Sequence, residues 1–188
     1  MEGSSPAGVR MTEPGGKEAA SPEADIPQTI ISEPKLVSLY GKYIVGWEVR
    51  TTNQDEMDPT KARIPGVWKR VYKENLADNI ADKKEPGVIL GAYTRYQSDA
   101  NGPYSLIVGA EVADVDNVPE GMAGIVVLAQ EYLIFTASGE MPKAVVDGWG
   151  AVWKYFAADT TLKRAFTTDF ERYDSSRPGI VEIHIAVR

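Results

Sequence analysis

The sequence predicts an α+β fold: two strand–helix–strand–strand units joined into one curved antiparallel sheet, with both helices on its outer face. Three observations predict it. Runs rich in β-branched and aromatic residues alternate with two amphipathic stretches. The pair Arg95-Tyr96 is followed by a strand-like run at the same spacing as the pair Arg172-Tyr173. Each amphipathic stretch carries a tryptophan, Trp68 and Trp153, at what reads as the matching position. Aligning the two Arg-Tyr pairs sets Glu171 opposite Thr94, so one copy brings a carboxylate to the cleft between copies and the other a hydroxyl.

The elements follow in order. Residues 1–33 form a tail rich in Gly, Pro, Ser, Ala and Glu, without aromatics. Such a segment buries too little apolar surface to offset its ordering entropy, so disorder is expected there and the folded domain spans residues 34–188. Pro34 to Tyr40 reads as a short strand, broken by Gly41, and Tyr43 to Arg50 as a longer one. Thr51 to Thr60 is polar loop. Pro65 stands where a first helical turn tolerates it, and Val67, Trp68, Val71, Tyr72 and Leu76 recur at helical spacing. Val88 to Tyr96 and Tyr104 to Val112 form a hairpin across Asn101-Gly102. Gly124 to Ala129 and Glu131 to Ala137 are two more strands. A second helix runs from Pro142 to about Ala158, with Val145, Val146, Trp149, Val152, Trp153 and Phe156 on its apolar side. Gly148 and Gly150 weaken it, which predicts close approach of another backbone. Thr168 to Asp174 and Ile180 to Val187 close the fold as a hairpin around Pro178-Gly179.

Composition limits the chemistry. The chain carries 27 acidic against 20 basic residues, a formal net charge of -7. That balance argues against a nucleic-acid surface. There is no cysteine and one histidine. Thiol catalysis, disulfides and cysteine-ligated metals are excluded, and a transition-metal site has little support. No cofactor is expected: neither a phosphate-binding glycine loop nor a Gly-x-Ser-x-Gly elbow is present. No signal peptide and no membrane-length apolar run are read, and a cysteine-free chain fits a reducing cytoplasm. His184 alternates with Ile183 and Ile185, which predicts a surface or edge role.

Strand alternation places Asp169, Glu171 and Tyr173 on one face. Thr94 and Tyr96 are expected on the equivalent face of the first copy, opposite the helices. Trp47, Trp68, Tyr93, Tyr104, Phe135 and Trp153 are aromatic candidates around them. A desolvated carboxylate among aromatic faces suits an organic cation, and burial would raise its pKa toward a general base. A plainer alternative pairs Glu171 with Arg172, Arg95 or Lys154 on a solvated face. In the same spirit, Trp68 and Trp153 fit helix core positions, and Tyr96 and Tyr173 ordinary cross-strand packing.

Ile64-Pro65-Gly66-Val67-Trp68, Tyr93 to Asp99, Gly102-Pro103-Tyr104 with Gly109, Trp149 with Trp153, Asp169 to Tyr173 and Glu182 to Ile185 together resemble the GyrI-like small-molecule-binding domain. The resemblance is to its stand-alone branch, the integron-associated effector-binding proteins, and covers about residues 34–188. It implies a ligand cleft at a pseudo-two-fold axis, with Glu171 contacting cationic, aromatic, lipophilic ligands. The expected ligand-binding set is Glu171, Tyr173, Tyr96, Trp68, Tyr104, Phe135, Thr94 and Trp153. Relatives carry a helix-turn-helix that the N-terminal extension here is too short and polar to hold. A free-standing binder or sensor is therefore expected, with a homodimer possible and no direct nucleic-acid or membrane partner. Some relatives hydrolyse cyclopropane-type genotoxins, which keeps a hydrolase using Glu171 as the alternative.

Overall fold

The computed structural model describes residues 28–158 and 160–188. The expectation for residues 1–27 lies outside them. Nine strands form one antiparallel sheet: β1 (Ile30–Ile31), β2 (Lys35–Leu39), β3 (Lys42–Thr51), β4 (Val88–Thr94), β5 (Tyr104–Val112), β6 (Ala123–Val127), β7 (Gln130–Ser138), β8 (Thr168–Asp174) and β9 (Ile180–Ala186). Its helices are α1 (Asn53–Glu56), α2 (Ile64–Lys73) and α3 (Lys143–Ala157), with a 3-10 turn over Leu76–Asn79. The sheet starts ahead of the expected boundary at residue 34, because Ile30 and Ile31 pair with Ser138 and Ala137. Leu76 falls outside α2 because Asn75 turns left-handed (φ 48°) and ends the helical run.

The duplication is real and longer than the sequence suggests. The path β6-β3-β5-β4 is met by β8-β9-β7, with β2 beyond β7. Each copy therefore begins with an extra arm, β2 in the first and β6 in the second. The arms are exchanged: β2 pairs with β7 and β6 with β3. Leu39↔Gln130 and Lys42↔Val127 belong to one register, so residues 35–46 and 123–134 form a ribbon interrupted only at its middle.

Three apolar clusters fix the layers. One lies between β3, β4, β5 and α2, and includes Val45, Val67, Val71, Tyr93, Leu106 and Val108. A second lies between β7, β9 and α3, and includes Phe135, Val152, Val181 and Ile183. The third fills the opposite face with Ile44, Leu90, Ile107, Tyr132 and Phe170, joined by Val37 and Leu39 of β2 and Ile125 and Val127 of β6. Edge strands thus curl over that face and make it the inside of the sheet, and the two long helices take the outside. Gly148 fits the close approach of α3: a Cβ there would stand 2.8 Å from Ile183 Cδ1 and 3.3 Å from Ala137 Cβ. What approaches is side chain, not backbone as expected, and Gly150 faces open space.

His184 corrects another expectation. Strand β9 lies between β7 and β8, so His184 is interior. It is buried and stacks on Phe170, with centroids 4.3 Å apart. Desolvation pulls its pKa below the usual imidazole value, although Glu182 opposes this.

Candidate functional site: a buried carboxylate at the pseudo-two-fold axis

Strands β4 and β8 meet at the centre of the sheet, and their register sets the site. Ile89 faces Tyr173, Gly91 faces Glu171, and Tyr93 faces Asp169. These three pairs share the outer face; Leu90, Ala92, Phe170 and Arg172 alternate to the other. Glu171 is 1 % exposed. Its Oε1 accepts from Tyr93 Oη at 2.7 Å and from Trp149 Nε1 at 2.6 Å. Its Oε2 accepts from Tyr173 Oη at 2.8 Å. All three donors are neutral, and the ion pairs among the described residues include none to Glu171. Burial raises its pKa, and the bonds from Trp149, Tyr93 and Tyr173 oppose that rise.

An approximate two-fold relates the surroundings. Trp68 of α2 meets Tyr173 of β8 edge-on, centroids 5.0 Å apart and planes at 74°. Trp149 of α3 meets Tyr93 of β4 with the same separation and planes at 72°. The symmetry breaks at the axis itself. A Cβ on Gly91 would stand 2.8 Å from Trp68 Cζ2 and 3.1 Å from Glu171 Oε2. One side chain fills a space that two would contest.

This geometry overturns three expectations. Gly91, not Thr94, is the partner of Glu171. Strand β4 ends at Thr94, and Arg95 is left-handed (φ 51°), so Arg95-Tyr96 lies beyond the strand whereas Arg172-Tyr173 lies within β8. Trp149, not Trp153, answers Trp68. Glu171 also faces the helices, because the other face is already covered by β2 and β6.

A cavity of about 200 Å³ opens beside the carboxylate. Tyr93, Tyr96, Tyr104, Trp149 and Trp153 supply its aromatic walls; Asn53, Glu56 and Arg164 border it. Tyr93 and Trp149 line the cavity and also bond Oε1, so the buried charge lies directly behind two of its walls. Burial, then the negative charges of Glu56 and Glu171, push the Tyr104 hydroxyl well above the ordinary phenol value. Arg164 is the basic residue of the lining, and it is already paired. Its Nη2 donates to Asp169 Oδ2 at 2.5 Å, and Tyr96 Oη donates to the same oxygen at 2.8 Å. Asp169 Oδ1 accepts from Ala186 N at 2.8 Å, which completes a fully buried anchor.

A family model described as integron-associated effector binding protein matches residues 35–187. The chain belongs to that family. An integron cassette protein from the mobile metagenome of Vibrio cholerae has a similar structure: TM-score 0.74 and 37% identity, covering 86% of this chain and 100% of that one. The structure of SAV2435 bound to tetraphenylphosphonium shares the fold at 23% identity and TM-score 0.66, covering 84% of this chain and 94% of that one. YobU of Bacillus subtilis (strain 168), which carries a transcriptional-regulator name, is 28% identical over 152 residues, 78% of this chain and 92% of its own length.

Within this effector-binding fold the expected residues divide. Glu171 and Tyr173 stand at the axis, and Tyr96, Tyr104 and Trp153 line the cavity. Tyr96 reaches it because the left-handed Arg95 breaks the strand alternation after β4. Trp68 packs on the far side of Glu171. Thr94 does not join them: it alternates to the inner face and its hydroxyl shares a 2.9 Å hydrogen bond with that of Thr168. Phe135 is two strands away and packs in the core against Tyr155 under α3. Trp47 is likewise core. Sequence reasoning missed Gly91, Asn53, Glu56 and Arg164, and gave Trp149 no role of its own in the site. No described helix is long and apolar enough to cross a membrane.

Proposed function

We propose that this effector-binding protein captures small organic cations with aromatic, lipophilic bodies, and that Glu171 supplies the neutralising charge. One observation carries the reading: a fully buried carboxylate held by three neutral donors, with no cation paired to it among the described residues. Burying an unpaired charge is costly, and a cation seated against the Tyr93–Trp149 wall offsets that cost. Aromatic faces attract the same cation. The tetraphenylphosphonium bound to the fold relative SAV2435 is a molecule of this class. Every group named comes from one chain, a homodimer is compatible with this reading, and the reading calls on neither nucleic acid nor membrane.

Calorimetric titration with tetraphenylphosphonium and with neutral triphenylphosphine oxide tests the reading. Glu171→Gln is expected to weaken the cation at least about tenfold, roughly 1.4 kcal/mol, and the neutral compound much less. Equal losses for both compounds would remove the electrostatic role. The convergence of Tyr93, Trp149 and Tyr173 on Glu171 supports a second reading: a hydrolase in which the carboxylate acts as base on water attacking a strained cyclopropane. Single-turnover assays that return no product from such electrophiles reject it.

A further inference from the structure

The axis through Gly91 and Glu171 has a second side. There a cleft of about 210 Å³ is bordered by Tyr72, Ile89, Met141, Tyr173, Pro178 and Ile180. It is the pseudo-symmetric counterpart of the first cavity. Tyr173 of β8 stands in it as Tyr93 of β4 stands in the other. Tyr72 lies one turn beyond Trp68 in α2, as Trp153 lies one turn beyond Trp149 in α3. Tyr72 and Trp153 are both exposed, at 55 % and 48 %. Tyr72 stacks on Trp68 at 5.7 Å and 21°, presenting a broad aromatic face.

The carboxylate serves both sides. Oε1 is bonded from the first cavity by Tyr93 and Trp149, and Oε2 from the second cleft by Tyr173. Burial and then the charge of Glu171 raise the pKa of the Tyr72 hydroxyl, so the negative potential reaches this side too. The cleft's own charges are satisfied: Arg177 pairs with Asp174 at 3.8 Å and with Glu182 at 2.9 Å.

We propose that the Tyr72–Tyr173 cleft is a second binding site for lipophilic organic cations, sharing Glu171 with the first. The proposal rests on the reading that Glu171 is the anionic partner. One carboxylate neutralises one cation, so the second arrives at a charge already paired and meets a like charge across the axis. The two sites are therefore antagonistic, and the antagonism is reciprocal. The first cavity, with two donors on Oε1 and more aromatic walls, takes the tighter ligand.

Equilibrium dialysis of tetraphenylphosphonium against the full chain tests this. Wild type is expected to bind two molecules, the second at least about tenfold more weakly. Tyr72→Ala should abolish the weak step and leave the tight one within about twofold; Tyr72→Phe keeps the ring and should keep both. Trp153→Ala should weaken the tight step. Glu171→Gln should weaken both. Saturation at one molecule, or a weak step indifferent to Tyr72→Ala, overturns the second site while leaving the first standing. Loss of the tight step alone in Glu171→Gln overturns the sharing. Affinities unchanged in Glu171→Gln overturn the reading of Glu171 itself.

Discussion

On the outer face of the axis ribbon the first copy presents Ile89, Gly91 and Tyr93, and the second presents Asp169, Glu171 and Tyr173. The tyrosines match, and so do the tryptophans that meet them, Trp149 and Trp68. The acids have no match. Duplication supplies a symmetric aromatic frame, and the charge enters from one half only. The reason is spatial and electrostatic together. Residues 91 and 171 face each other across one pair of strands, and a Cβ at 91 already meets Trp68 and Glu171. A second carboxylate would also face the first without a counter-charge.

Gly91→Glu is therefore the harshest test of the asymmetry. A second buried, unpaired carboxylate is expected to cost about 3–5 kcal/mol, read as a lowered urea midpoint. Exchanging the two residues, Gly91→Glu with Glu171→Gly, moves the acid to the other half, where Tyr93 and Tyr173 still flank it. That double variant is expected to regain more than half of the loss. No recovery would show that the halves are not interchangeable at the axis. Asp169→Ala comes next. It strips the partner from Arg164, whose side chain is 11% exposed, and is expected to cost about 3 kcal/mol. Its counterpart change, Ile89→Val, removes one methyl from a half-buried site and should cost only about 0.5 kcal/mol.

The two halves also show how far sequence reaches. Tyr104–Val112 and Thr168–Asp174 were legible to the residue, because β-branched and aromatic runs sit between strong turn signals. Asp169, Glu171 and Tyr173 share a face by local alternation alone. The partner of Glu171 was not legible. It depends on the long-range register of β4 against β8, and the left-handed turn at Arg95 makes the Arg-Tyr match misleading. Trp149 and Trp153 lie on one helical stripe, so only the docking angle of α3 decides which meets Tyr93. Phe135 carries the right face but the wrong distance, which alternation does not report. Helix α1 and Glu56 sit in a polar stretch with no apolar period to announce them.

The unpaired charge of Glu171 also has a pH signature. Its folded pKa is raised above 4.5, so the native state holds that proton more tightly than the unfolded chain. The resulting stability is fully present below 4.5 and is lost as pH rises through the raised value. Glu182 acts in the opposite sense. The His184 ring 3.7 Å away, and then Arg177, hold it down at about 2, so its contribution is present above 4.5 and lost as pH falls toward 2. Urea titrations across pH should show the stability of Glu171→Gln gaining on wild type from 4.5 upward, with a shared decline below. Parallel curves above 4.5 would mean that Glu171 titrates alike in both states.

The smallest expected effect concerns how each half starts its helix. Glu56 accepts from Arg63 N at 2.9 Å and Ile64 N at 3.2 Å, and from Thr51 Oγ1 at 2.6 Å. It thus serves the free N–H groups of α2 from outside the helix and places a negative charge at the positive end of its dipole. Helix α3 has Pro142 at that position and no side-chain cap. Glu56→Ala should therefore cost about 1 kcal/mol, the usual loss of a cap, and lower Tm by roughly 2–4 °C. The cap fixes α2 and with it Trp68 and Tyr72, while the cavity beside Glu56 is walled by Tyr93, Trp149 and Trp153 from β4 and α3. If the cap acts only on the first helix, Glu56→Gln disturbs the weaker of the two cation-binding steps more than the tighter one. A larger loss at the tighter step would show that Glu56 acts on the cavity through its charge.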